Sequence, residues 1–254
     1  MVKKSLWLVS SLGVFALLLV MGCSAKNVEP GSTPSSGTSD AGTPATIMQT
    51  AEPLTKVDTN VGTAPQEGWS WGVAMHENGK HNVTEAIDNH DSGWLFFVTR
   101  GQEEIGFADN TTKTIKEDEG LFLRTKVDHT HLYGPRTHVL SVRLGPGAVA
   151  PGDYHGGYPG IYYTGKVLET KAGASYNIRT REYVLDAGER RPDMTVAEPN
   201  MVFVIGGTLT TRPASGPAVT TGTYKVGELP LNMKLYLGNE GKDPVKFIIV
   251  DLHQ

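Results

Sequence analysis

From Gly68 to Gln254 the chain sets short apolar runs between clusters of Gly, Pro, Asn and Asp. Leu140, Val142 and Leu144 alternate with Val139, Ser141 and Arg143, the period of two expected of a half-buried strand. Trp94, Leu95, Phe96, Phe97 and Val98 follow one another without a polar break, so this strand is predicted to be central and covered on both faces. No stretch repeats its apolar residues at the spacing of an amphipathic helix. Short strands separated by turn residues predict an all-β sandwich or barrel.

The same texture occurs twice. Leu95 to Gly101 lines up with Met201 to Gly207, Ile115 to Gly120 with Gly222 to Gly227, and His138 to Leu144 with Lys246 to Leu252. Each match is weak alone. Three matches in one order and at nearly one spacing predict two similar β units of about 90 residues, joined by Gly145 to Tyr176.

Ahead of these units the composition shifts. From Ser24 to about Gln66 the chain is rich in Ser, Thr, Gly, Pro and Ala and has no aromatic residue. Such a segment buries too little apolar surface to offset its ordering entropy, and reads as a flexible tether. A first short strand fits near its end, between Ile47 and Val61. Earlier still, Lys3 and Lys4 precede a largely apolar run from Leu6 to Met21, the parts of an export signal. Val20-Met21-Gly22-Cys23 resembles the lipobox of bacterial lipoproteins. That resemblance implies cleavage before Cys23, lipid on its thiol, and a place in the cell envelope outside the cytoplasm. Left uncleaved, the same run is nearly long enough to anchor the chain in the membrane.

Cys23 is the only cysteine, so the domain has no internal disulfide and no thiolate metal site. The formal charge is −4, and removing residues 1–22 takes Lys3 and Lys4 with it and leaves the rest more acidic. With no basic stripe, nucleic acid is excluded as a partner. No G-x-S-x-G elbow and no phosphate-binding glycine loop occur, which removes the matching hydrolase and nucleotide-binding classes.

Within the second unit, Gly188-x5-Met194-x-Val196-x3-Asn200-x6-Gly207 has the spacing of the first cupin motif, G-x5-H-x-H-x3,4-E-x6-G. Gly238 falls where the second motif places its histidine. The glycine frame is present and the four usual ligands are not. In the first unit the repeat gives Asn82-x5-Asp88-x-His90-x3-Trp94-x6-Gly101, and a second motif starting at Gly120 puts His131 at the ligand position. The chain therefore resembles the cupin superfamily over about residues 68–254. The resemblance implies two tandem jelly-roll barrels, a bicupin, after a signal peptide (1–22) and a disordered linker (23–66). The barrels take residues 67–150 and 176–254, with a bridge over 151–175.

Asp88 and His90 lie two apart on a strand and so share a face. If that face is inward, Asp88, His90 and His131 form a facial set suited to one divalent ion, Fe, Mn or Zn. The alternative is a metal-free pocket. Trp94, His129 and His138 are further pocket candidates, although His129 also reads as a solvated loop residue and His138 as a core or rim histidine. The bridge from Pro151 to Tyr163 is rich in Gly and Tyr and suits either a binding loop or a packed connection. Three functions stay open: a membrane-tethered binder of a small molecule, a metal-dependent oxygenase or isomerase, and a structural or partner-binding envelope protein. Cupins pair by exchanging strands, and a bicupin satisfies that pairing within one chain, so a monomer is expected.

Overall fold

The computed structural model describes residues 54–77, 83–88, 92–146 and 161–254; the side chains of 54–56, 77, 83–88 and 161–166 fall outside the description. Cys23, His90 and the bridge residues 151–160 lie outside the described residues. Eighteen strands and no helix make up the described part. In chain order they begin with β1 (Leu54–Thr63), β2 (Trp69–Glu77), β3 (Val83–Asp88), β4 (Gly93–Arg100), β5 (Gln102–Phe107) and β6 (Thr112–Lys116). There follow β7 (Gly120–Leu123), β8 (His129–Tyr133), β9 (His138–Pro146), β10 (Ile161–Val167), β11 (Ser175–Leu185) and β12 (Met194–Thr195). The last six are β13 (Asn200–Gly206), β14 (Thr208–Pro213), β15 (Val219–Gly222), β16 (Val226–Gly227), β17 (Lys234–Gly238) and β18 (Val245–His253).

They form two barrels of the same plan. One has a five-stranded sheet β10-β2-β9-β4-β7 and a four-stranded sheet β3-β8-β5-β6; the other has β1-β11-β18-β13-β16 and β12-β17-β14-β15. Position by position the two orders are one, with β1 and β10 exchanged. The strand that opens each unit pairs antiparallel with the other unit, β1 with β11 and β10 with β2. Pairing between units is thus closed within a single chain. β1 overlaps the short strand expected between Ile47 and Val61, and β10 falls in the span read as bridge. In both, backbone groups complete a sheet of the other unit, a pairing that the side-chain pattern does not show.

Register refines the repeat. Leu95 pairs with Val142 as Met201 pairs with Val250, matching the sequence alignment. In the middle block, however, the amide of Asp118 donates to Val98 O as that of Tyr224 does to Val204 O. Asp118 and Tyr224 both sit at positive φ in the preceding turn, at 63° and 56°. Gly120 therefore matches Val226, and the glycine identity that suggested Gly227 is one residue out of register. Gly101 and Gly207 are true equivalents, with φ of 80° and 81°. A Cβ at Gly207 would lie 2.6 Å from the Pro244 carbonyl oxygen and 2.9 Å from Val245 Cα, all rigid backbone. Gly207→Ala is expected to lower stability by about 1–3 kcal/mol, read by urea unfolding.

Burial follows strand parity. Leu95 and Phe97 of β4 point away from their own barrel and join Trp71, Val73, Met75, Leu140 and Val142. That set continues without a break into Ile178, Met201, Phe203, Ile248 and Val250 of the second barrel, so the two five-stranded sheets share one core. Trp94, Phe96 and Val98 point the other way, into the first barrel. The apolar run in β4 is thus explained by two interiors, one on each face.

Candidate functional site

The inward face of the first barrel carries polar groups in a wall of aromatic and aliphatic side chains. On β8, His129, His131 and Tyr133 alternate inward, at 2%, 1% and 3% exposure. Neighbouring β5 contributes Glu103, with no exposed surface. The register sets Ile105 opposite His131 and Glu103 opposite Tyr133, so Glu103 lies diagonal to His131 on one face. His131 Nδ1 donates to Glu103 Oε1 at 2.6 Å. This bond engages Nδ1 and leaves Nε2 as the second ring nitrogen. Among the described residues His131 Nε2 has no hydrogen-bond partner. The hydroxyl of Ser141, buried on β9, has none either. Phe96 connects the two, opposite Ser141 in register and with its ring 4.8 Å from that of His131.

His129 donates its Nδ1 hydrogen to the Val127 carbonyl at 2.7 Å, and its ring stands edge-on to His131 at 4.7 Å. It is a buried member of the cluster, not a solvated loop residue. Tyr133 stacks on His131 at 5.6 Å and on His76 of β2 at 5.2 Å. Burial, helped by repulsion from His131, depresses the His76 pKa from 6.5 to about 3. The sign follows directly. Between these values the unfolded chain binds a proton that the folded chain refuses, so stability is present above pH 6.5 and lost as pH falls toward 3. His76→Phe keeps the stacking and removes the titration, and its melting temperature is expected to fall less than the parent's between pH 7 and pH 4 by calorimetry.

A cavity of about 470 Å³ opens beside the cluster, bordered by Phe107, Asn110, Thr111, Asp128 and His129. That volume is in the range of small-molecule sites. Trp94 is inside the barrel but 4% exposed and stacked on Phe96. His138 is not in the barrel. It shares the Leu140 and Val142 face as expected, but that face belongs to the core between barrels, where His138 Nδ1 lies 3.5 Å from the Tyr224 hydroxyl. Asp88 pairs through its backbone with His129; its side chain and all of His90 fall outside the description.

The second barrel keeps the positions and changes the chemistry. Asp88 opposite His129 corresponds to Met194 opposite Leu235. Ile105 opposite His131 corresponds to Thr211 opposite Leu237, so the counterpart of His131 is Leu237, not Gly238. Glu103 likewise corresponds to Leu209. Leu209, Leu235, Leu237, Val196, Val202 and Phe247 fill this interior. Asn200 is held by the Leu229 amide and carbonyl, a strand-to-loop clasp. Glu103, His76 and Ser141 escape motif reading because none occupies a motif position. Parity was the available signal, since Glu103 alternates with Ile105 at a site where the repeat has Leu209.

No family model matches the chain, and no curated protein matches it in sequence. Solved structures do. A mutant of Bacillus subtilis oxalate decarboxylase superposes with a TM-score of 0.54 at 10% identity, covering 78% of this chain and 77% of the other. The formate complex of Lactobacillus farciminis oxalate decarboxylase gives 0.53 at 9%, covering 79% and 83%. The Bacillus subtilis enzyme at pH 4.6 gives 0.53 at 10%, covering 78% and 76%. The fold is the all-β bicupin, two tandem jelly-roll barrels.

Proposed function

We propose that the first barrel binds a small polar molecule and that the second is its structural partner. One observation carries this reading: two barrels that agree in strand order and register differ at their inward positions, where Glu103, His129 and His131 stand against Leu209, Leu235 and Leu237. Leucines show that the fold does not need polar groups there. Buried polar groups are costly unless satisfied, so their retention on one side points to use. The likeness to enzymes named for oxalate, one of them a formate complex, makes small carboxylates the first compounds to try, with sugars beside them. The expected result is that one such compound raises the melting temperature of the parent chain but not of a Glu103→Leu/His131→Leu variant. Equal stabilisation of both proteins would move the site elsewhere and end this reading.

A second reading makes the same barrel metal-dependent. Its support is the carboxylate-held imidazole, since a ligating histidine commonly donates its other nitrogen to such a group. Among the described residues no three His, Cys, Asp or Glu side chains are grouped to hold an ion. His131 is the described donor of the expected set, and Asp88 and His90 would have to complete it. A bound divalent ion would supply a Lewis acid for a substrate oxygen. The chain's own part would be to present Nε2 of His131, fix its tautomer through Glu103, and exclude water with Phe96 and Tyr133. Elemental analysis of protein purified without a His tag separates the readings. Stoichiometric Fe, Mn or Zn that disappears in His131→Ala supports the ion, and a preparation that takes up none on reconstitution rules it out.

In this reading the barrels hang outside the cytoplasm on a lipid-bearing Cys23, as a monomer. Cys23→Ala is expected to move the protein from the membrane fraction to the soluble one.

A further inference from the structure

The lumen face of β11 carries Arg179, Arg181 and Tyr183 in alternation, opposite Asp251 on β18. Asp251 is 1% exposed and accepts from both arginines, from Arg179 Nη2 at 2.8 Å and Arg181 Nη2 at 2.5 Å. A third guanidinium, of Arg191, lies 3.7 Å from the centre of the Tyr183 ring. One carboxylate therefore holds two guanidinium groups, and a third lies over the neighbouring Tyr183 ring. Two donors in this cluster are buried with no acceptor among the described residues, the Tyr183 hydroxyl and Arg181 Nε. Tyr183 is 3% exposed, whereas the side chains of Arg179 and Arg181 are 29% and 21% exposed and reach the solvent. Among the described residues, Asp251 is the one carboxylate of the charged groups that act on the Tyr183 hydroxyl.

The fold does not require this set. In the first barrel Gly72 pairs with Arg143 where the second pairs Arg179 with Asp251. Ala74 then stands for Arg181 and His76 for Tyr183. Arg179 and Arg181 together bring two positive charges to the one carboxylate of Asp251, in a chain whose formal charge is −4. A planar guanidinium binds carboxylate or phosphate oxygens two at a time, and a buried hydroxyl without an acceptor gains from any anion that reaches it.

We propose that the mouth of the second barrel is an anion site, in which Arg179, Arg181 and the Tyr183 hydroxyl hold the oxygens of a carboxylate or phosphate group without a metal. It is independent of the first-barrel site, so failure of one leaves the other standing. The probes are sodium malonate, sodium phosphate and sodium chloride at equal ionic strength, titrated into the full chain after chelator treatment. The expected result is saturable binding of malonate, phosphate or both, with a shift of the Arg181 Nε–H resonance. Binding should survive in Glu103→Leu/His131→Leu. Tyr183→Phe, which removes only the hydroxyl, is expected to weaken binding about tenfold. Should that variant fail to fold, Arg181→Lys keeps the charge beside Asp251, loses the fork, and should weaken binding by a similar factor. A response to malonate alone assigns a carboxylate ligand, and one to phosphate alone a phosphate ligand. An effect of chloride equal to both, or unchanged affinity in the variant that folds, overturns the proposal.

Discussion

His131→Leu alone should destabilise the protein by about 3–5 kcal/mol, and adding Glu103→Leu should recover most of that loss. The single change strips a fully buried carboxylate of the imidazole that donates to it at 2.6 Å. With this donor gone, a carboxylate set among Phe96, Ile105 and Val98 must take up a proton, draw in water or open the barrel. The double variant copies the second barrel, where Leu209 and Leu237 occupy the equivalent places with no exposed surface. Desolvation of an ion or hydrogen-bonded pair often offsets its attraction, so an apolar pair of like volume is neutral or better. Urea unfolding of the four proteins in the cycle measures this. Single losses that simply add would show that Glu103 and His131 do not act as a unit.

Strand texture, the doubled plan and the motif position of His131 are legible in the amino-acid order because each is a local pattern of alternation or spacing. Leu140 and Val142 mark a buried face as surely as any residue in the chain. What alternation leaves out is which of two interiors a face meets. His138 lies on a correctly read face, but that face lines the shared core, a fact that exists only once two sheets have docked. Exchange of β1 and β10 is hidden for the same reason, since edge pairing is made by backbone groups common to every residue. The shift of Gly120 onto Val226 has another origin. Glycine identity attracted the alignment, whereas the turn residues Asp118 and Tyr224 set the register.

The site was legible only in part. His131 and His129 follow from motif spacing and parity together. Glu103, which holds His131, comes from a different strand, and the diagonal that joins them depends on the β5–β8 register. His76 arrives from the opposite sheet through the flat face of Tyr133. These contacts are non-local, and a single chain read in order has no signal for them beyond a polar residue recurring on an inward face.

Phe97→Ala should cost about 3–5 kcal/mol and should lower the melting of both barrels together. Phe97 has no exposed surface, and it packs in the core that runs from Trp71 and Leu140 of one barrel to Phe203 and Ile248 of the other. Truncating it opens a cavity between two sheets that cannot close independently. Each of those sheets also borrows an edge strand from the other unit, β10 on β2 and β1 on β11. To unfold one barrel alone would expose this core and strip the remaining sheet of its fifth strand. Calorimetry of the parent and of Phe97→Ala should therefore give one endotherm each, with calorimetric and van't Hoff enthalpies equal. Leu237→Ala, confined to the interior of the second barrel, should lower the same single transition. Two separated endotherms, with one left unmoved by Phe97→Ala, would mean that the exchanged strands join barrels that fold apart.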